Sequence, residues 1–193
     1  MFPEFVYLAS RSPRRRELLQ QIGLAFRVID AAVDEAALKD EAPFDYVSRV
    51  AAAKADAGWQ CSRDSGDAPV LAADTAVALE TSILGKPRDR GEALYMLRRL
   101  SGRSHEVFTA VALRIAAGLY IRVSRSVVTF RSIDAAEAGA YWETGEPCDK
   151  AGAYAIQGRA AIFIADLRGS YSGVMGLPLF ETAELLRAAA HEY

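Results

Sequence analysis

Cysteine, histidine and cationic excess are all scarce in this chain, and each scarcity removes a class of protein. Two cysteines, Cys61 and Cys148, stand among 193 residues. They are too few for a disulfide framework and lack metal-ligand spacing, so they read as reduced thiols of a cytosolic protein. The two histidines, His105 and His191, have no serine or cysteine nucleophile signature around them and read as structural or exposed. A formal net charge of −2 argues against a dedicated nucleic-acid binder, which carries a basic excess. A local pocket of arginine and lysine can still receive a small anion. No run approaches the ~20 apolar residues needed to span a bilayer. Pro3 and Glu4 interrupt the start before any signal-like apolar stretch can form. The expectation is a soluble, cytoplasmic protein with no membrane partner. The chain also has no Walker loop and no G-x-G-x-x-G, so nucleotide binding by those routes is unsupported.

What is present suits a packed domain. Hydrophobic residues make up 51% and charged residues 25% of the chain, ordinary values for a globular protein. No repeat, low-complexity tract or linker divides it, so residues 1–193 are expected to form one domain. Residues 5–9 form an apolar run readable as a buried strand. A helix follows, with Ser12 as cap, Pro13 at the first position where no N–H is needed, and Gly23 as the stop. A strand over 26–29, a helix from Pro43 to about Gly58 and a polar loop over 60–69 come next. Residues 70–73 read as a strand delivering Asp74 and Thr75 at its end, with more extended structure and a turn over 76–84. Asp89 with Glu92, and Asp134 with Glu137, are start signals for two further helices. Between them, the alternation over 105–115, the Ala117-Gly118 turn and the return over 119–130 predict a long hairpin. Short strands over 153–156 and 161–167 and a last helix after Pro178 complete a mixed α/β pattern.

Several residues are candidates for chemistry. Ser10, Arg14 and Arg15 lie at a strand-to-helix junction, where free N–H groups and a partial positive charge suit a phosphate. Arginine in a first helical turn conflicts with the dipole unless an anion sits among them; the bland alternative is a capped helix with two solvated arginines. Asp74 at the C-terminal end of a strand would sit where open α/β sheets place ligands. It could hold Mg²⁺ or deprotonate a water, or simply cap a turn. Asp34 and Glu35 could add a second metal-facing carboxylate or form a solvated acidic loop. Lys54 in a helix, Lys86 in a turn that Gly85 and Pro87 predict to be tight, and Lys150 before Ala151-Gly152 are each unremarkable alone. Gln157 offers the donor and acceptor needed to read a pyrimidine's carbonyl and imide edge, or else makes a plain loop hydrogen bond.

Taken in order, these segments resemble the Maf family of nucleoside triphosphate pyrophosphatases. The matching stretches are residues 8–15 (LASRSPRR), 33–35 (VDE), 73–75 (ADT), 85–87 (GKP), 101–105 (SGRSH), 146–154 (EPCDKAGAY), 156–158 (IQG) and 176–178 (GLP). Any one is weak; the ordered set covers nearly the whole chain. The resemblance implies an elongated α/β fold with two lobes around a central cleft, similar to the inosine-triphosphate pyrophosphatases. It also implies hydrolysis of a triphosphate to monophosphate and pyrophosphate with a divalent cation, Mg²⁺ or Mn²⁺, and a homodimer. Asp74 falls on the family's catalytic acidic position, and Arg14, Thr75 and Gln157 fall on positions tied to substrate choice. The SPRR, ADT and IQG motifs look like the dTTP/UTP-directed branch. Arg11 and Gly173 depart from the usual pattern, and the loop over 169–176 is given no role.

On this reading Asp74 and Glu35 hold the metal, a water activated at Asp74 attacks the α-phosphorus, and Ser10, Arg14, Arg15, Lys54, Lys86 and Lys150 bind phosphate. Two readings of other classes stand beside it. One is a nucleotide-binding regulator of septum formation and cell division without turnover; the other is an RNA-binding module using residues 14–16, which would show steep salt dependence. Within the enzyme class, modified pyrimidine triphosphates are the alternative substrates, since one ring methyl is a small energetic difference.

Overall fold

The computed structural model describes residues 2–63 and 68–189. His191 and the middle of the loop expected over 60–69 lie outside the described residues. One seven-stranded mixed sheet organises the chain: β1 (Phe5–Leu8), β2 (Ala25–Val28), β3 (Val70–Leu79), β4 (Ser82–Leu84), β5 (Ser104–Ile115), β6 (Gly118–Phe130) and β7 (Ile164–Arg168). Its order is β2-β1-β3-β5-β6-β7, with β4 beside β3. Pairings of β1 with β2 and with β3 are parallel, and the others are antiparallel. The expected hairpin is β5–β6, in register from Ser104 opposite Thr129 to Ile115 opposite Gly118.

One face of the sheet is covered by α2 (Pro43–Ser62). Its buried positions, Val47, Val50, Ala51, Lys54, Ala55, Gly58, Trp59 and Ser62, recur at the spacing of one helical stripe. The helix runs one turn past the expected stop at Gly58 because Trp59 and Ser62 continue that stripe. Gly58 is a contact residue: a Cβ there would lie 2.8 Å from Val70 and 3.0 Å from both Ala9 and Ile29, so its absence lets α2 approach the sheet.

The opposite face carries two separate cores. Leu71 and Ala73 of β3 and Val111 and Leu113 of β5 pack with α1 (Pro13–Gln21) and α6 (Leu179–Ala189). Further along the same strands, Val77, Leu79 and Val107 pack with α3 (Arg90–Leu100) and α4 (Ala135–Trp142). Side chains alternate along a strand, so Thr75 and its cross-strand partner Thr109 fall between the two cores. A short helix, α5 (Tyr171–Met175), lies over this polar seam, and Thr109 Oγ1 donates to Gly173 O at 2.7 Å.

Four local expectations are corrected. Ser12 occupies the cap position of α1 without a side-chain capping bond; its own N–H instead donates to Ser10 Oγ at 3.2 Å. Residues 153–156 and 161–163 are not strands: Ala151–Ala153 and Arg159–Phe163 are 3₁₀ turns, and β7 begins only at Ile164. The turn expected within 76–84 lies at Glu80, with φ of 57°, between β3 and β4, but the tight turn expected at 85–87 does not form. The segment at Lys86 is irregular chain whose Gly85 carbonyl accepts from Gly152 N at 3.1 Å. Asp74 is in the middle of ten-residue β3, not at its end. The helix starts at Asp89 and Asp134 hold, the second with a complete capping box.

Candidate active site

A break in the sheet creates the site. β1 pairs with β3 only as far as Leu71, and β4 joins β3 only from Val77 onward. Between them β3 is paired on the β5 side alone, and Asp74 and Thr75 sit in that gap. Neighbours on a strand point to opposite faces, yet both reach one cavity because nothing closes the edge beside them. Asp74 thus lies just beyond the end of its parallel neighbour β1, the kind of place that open α/β sheets use for ligands. Beyond Leu8 the chain turns away into residues 10–15 and α1.

The cavity has a volume of about 690 Å³, and every candidate phosphate, substrate or metal residue except Asp34 lines it; Asp34 instead accepts from Ala36 N at 2.8 Å in an exposed turn. Ser10, Arg14 and Arg15 come from the β1–α1 junction, Glu35 from the following loop and Lys54 from α2. Asp74 and Thr75 come from β3, Lys86 from the segment after β4, and Lys150 and Gln157 from the stretch after α4.

The deepest group is Asp74, about 5% exposed. Its Oδ1 accepts from Lys54 Nζ at 2.8 Å, while buried Oδ2 has no partner among the described residues. Burial pushes the Asp74 carboxyl above the usual carboxylate range, although Lys54 and Arg15 pull the other way. Lys54 Nζ also meets Glu35 Oε1 at 2.7 Å, so one ammonium joins the two carboxylates. Glu35 is half-buried. Burial raises its carboxyl, but the Lys54 hydrogen bond and the charges of Lys54, Lys86 and Arg15 outweigh that and hold it below its ordinary value.

The arginines differ from each other. Arg15 is buried; its Nε donates to Gly176 O at 2.7 Å, and its terminal nitrogens reach Ser10 Oγ at 3.0 Å and Thr75 Oγ1 at 3.4 Å. It ties the β1–α1 junction, β3 and the segment after α5 together, and burial lowers its pKa against the pull of Asp74. Arg14 spends only Nε, on Met175 O at 3.2 Å, and its outer nitrogens have no hydrogen-bond partner among the described residues. Lys86 makes no hydrogen bond or ion pair, and the Gln157 carboxamide has no partner, among the described residues. Lys150 is paired with adjacent Asp149.

Sequence reasoning missed four contributors. Tyr46 lines the cavity and donates to the Glu35 carbonyl at 3.0 Å; burial, with Asp74 and Glu35 nearby, pushes its hydroxyl up to about 12. Asp149 lines the rim, where Lys150 and Arg14 hold its carboxyl low against the opposing effect of burial. Val77 and Val107, paired across β3 and β5, supply an apolar wall. One overlooked signal was legible: Lys54 occupies a core position of the α2 stripe, where an unpaired lysine is not tolerated.

A buried lysine joining two carboxylates, a buried arginine near them, further cations at the rim and an orphaned acidic oxygen define a class. This is an α/β protein whose sheet opens, beside a buried carboxylate, into a cavity lined by cations. The chain belongs to the Maf family: the family described as "Maf-like protein" matches residues 5–189. A relative from Alkalilimnicola ehrlichii named dTTP/UTP pyrophosphatase is 53% identical over 192 residues, covering 96% of this chain and 95% of its own length. One from Nitrosomonas europaea with the same name is 52% identical over 191 residues, covering 94% and 92%. Among solved structures, the Ham1 protein of Staphylococcus aureus matches with a TM-score of 0.39 and 13% identity, over 67% of this chain and 72% of that one.

Proposed function

We propose that this chain is a dTTP/UTP pyrophosphatase, hydrolysing the bond between the α and β phosphates to give the monophosphate and pyrophosphate. The observation that carries the reading is the convergence of Arg14, Lys54, Lys86, Asp74 and Glu35 on one cavity, in a family whose relatives bear that name. A triphosphate carries several negative charges, and the free cations Arg14 and Lys86 are placed to neutralise them. Gln157, with both a donor and an acceptor unspent, is placed to read the base.

Asp74 acts as proton acceptor. Its Oδ1 is anchored by Lys54, which leaves Oδ2 as the free basic atom. A carboxyl raised above its usual range is a stronger base than an ordinary aspartate. A water at Oδ2 would lose its proton there as its oxygen attacks the α-phosphorus, and pyrophosphate would depart toward the cationic rim. Lys54 keeps Asp74 ionised and in place, and Arg15 braces Thr75 and Ser10 around it.

A divalent cation fits the same donors. Asp74 and Glu35 are hard oxygen ligands of the kind Mg²⁺ and Mn²⁺ prefer, and the unpartnered Asp74 Oδ2 is an acceptor in want of a positive partner. Among the described residues no group of three or more His, Cys, Asp or Glu could hold a metal, so the protein would supply two carboxylates and the phosphates the remaining oxygens. When bound, the cation would screen phosphate charge. Homodimerisation and a cytoplasmic setting belong to the same proposal; among the described residues no helix is long and apolar enough to cross a membrane.

The test is a panel of nucleoside triphosphates assayed for pyrophosphate, with and without Mg²⁺ or Mn²⁺. Release from dTTP and UTP ahead of purine triphosphates is expected. Tight dTTP binding with no pyrophosphate formed would favour the non-catalytic regulator instead.

A further inference from the structure

The loop that carries Gln157 is held from behind by two side chains that do not reach the cavity. Glu146 lies in the 3₁₀ turn Glu146–Asp149. Its Oε2 accepts from Arg159 N at 3.0 Å and its Oε1 from Ala160 N at 3.4 Å. Tyr141 Oη donates to Glu146 Oε1 at 2.6 Å and accepts from Ala155 N at 3.2 Å. The amides on both sides of Gln157, at positions 155, 159 and 160, are thus bound to one hydrogen-bonded pair. Gly158 makes room for it: a Cβ there would lie 2.4 Å from the Glu146 carboxylate. The pair has a firm footing, because Tyr141 is buried near the end of capped α4 and packs edge-on against Phe163 at 5.4 Å. Burial would raise Glu146, but Tyr141, the two backbone donors and Lys150 outweigh it and keep the carboxylate ionised, so these are charge-assisted bonds.

A carboxamide offers a donor and an acceptor, and thymine and uracil present the complement of what cytosine presents, a carbonyl where cytosine has an amino group. Turned one way the carboxamide matches thymine and uracil and turned over it matches cytosine, so which way Gln157 meets the base depends on where the loop backbone holds it. We propose that Glu146 and Tyr141 are positioning residues for Gln157 and set the discrimination of dTTP and UTP from dCTP. The inference rests on the function proposed above and assigns roles to two residues outside its site.

The experiment compares pyrophosphate release from dTTP and dCTP by the full chain carrying Tyr141→Phe, Glu146→Gln or Gly158→Ala, with Gln157→Ala and the unaltered protein as references. Gly158 has φ of −104°, which alanine adopts freely, so its added methyl acts only by displacing the carboxylate. In all three variants the dTTP-to-dCTP ratio of kcat/KM should fall about tenfold, the scale of one charge-assisted hydrogen bond. The loss should lie mainly in KM for dTTP, with kcat largely retained, and hydrogen exchange at amides 155, 159 and 160 should quicken. If Glu146→Gln folds poorly, Tyr141→Phe, which removes one oxygen, and Gly158→Ala still decide the matter. An unchanged ratio in those two, or equal losses of kcat on both substrates, overturns the positioning role. An unchanged ratio in Gln157→Ala overturns base reading by Gln157, and with it this inference. No pyrophosphate from dTTP or UTP with the unaltered protein overturns the function itself.

Discussion

Asp74 and His105 lie on neighbouring strands, both nearly inaccessible, and each has one polar atom without a partner among the described residues. Burial drives both toward the neutral form, raising Asp74 and lowering His105 to about 4. Their surroundings differ. His105 is packed edge-on against Phe130 and Tyr154, at 5.0 and 5.4 Å, and its Nε2 meets Tyr154 Oη at 2.8 Å. Nothing opposes the burial, and His105 is not among the residues that line the cavity at Asp74. Asp74 has Lys54 on one oxygen and Arg15 close by, and the residue lines the cavity. An orphaned polar atom walled in by rings is a tolerated cost of packing. The same orphan set among cations, at a gap in the sheet, is the proton acceptor of the function proposed above.

Substitution should separate the two. Asp74→Asn keeps the shape and removes the base, so kcat should fall by about 10³-fold or more, read by pyrophosphate release. A carboxyl raised on folding binds more protons in the folded state, so its contribution worsens as pH rises above the usual carboxylate range. Asp74→Asn should therefore melt no lower than the unaltered protein at neutral pH. An inactive variant that also melts much lower would make Asp74 a structural residue like His105.

Lys54→Met should come next. It leaves Asp74 and Glu35 facing each other without their shared ammonium, so Asp74 rises further and the acid limb of the pH–rate profile moves to higher pH. A loss of about 10²-fold in kcat is expected. In the double variant with Asp74→Asn, thermal stability should partly recover, since one of the two carboxylate charges is gone.

His105 supplies the third contrast. A histidine depressed from about 6.5 to about 4 binds fewer protons folded than unfolded. Stability contributed by its neutral form is full above about 6.5 and is lost as pH falls toward 4, a swing of about 3 kcal/mol. Melts across that window should fall less steeply in His105→Gln, while turnover at neutral pH stays within about threefold. The smallest effect belongs to Arg11, whose exposed pair with Asp30 is of the kind that contributes little. Arg11→Ser should leave the melting midpoint unresolved from the parent and kcat/KM nearly unchanged; a large loss would make Arg11 a phosphate ligand.

Periodicity and capping made most of the fold legible: the β5–β6 hairpin, the starts at Pro13, Pro43, Asp89 and Asp134, and the mixed α/β class all follow from local chemistry. The short 3₁₀ turns over 151–163 were misread as strands because apolar runs of three or four residues carry no period. The site residues were found as motif fragments, each with a plain alternative, because no spacing along the chain brings Arg14, Lys54, Lys86 and Gln157 together. Tyr46 and Lys54 share a face of α2, but only the stripe around Lys54 marks it as buried.

Local residue chemistry therefore determined which segments become helix or strand and which side chains are able to carry charge or donate hydrogen bonds. Tertiary structure alone decided which of those side chains meet. β1 stops at Leu8 and β4, running antiparallel, ends at Leu84 opposite Val77, leaving β3 unpaired on one edge around Asp74. That gap is a property of strand lengths and register in three dimensions, and it turns an aspartate in the middle of a strand into a group that a ligand can reach.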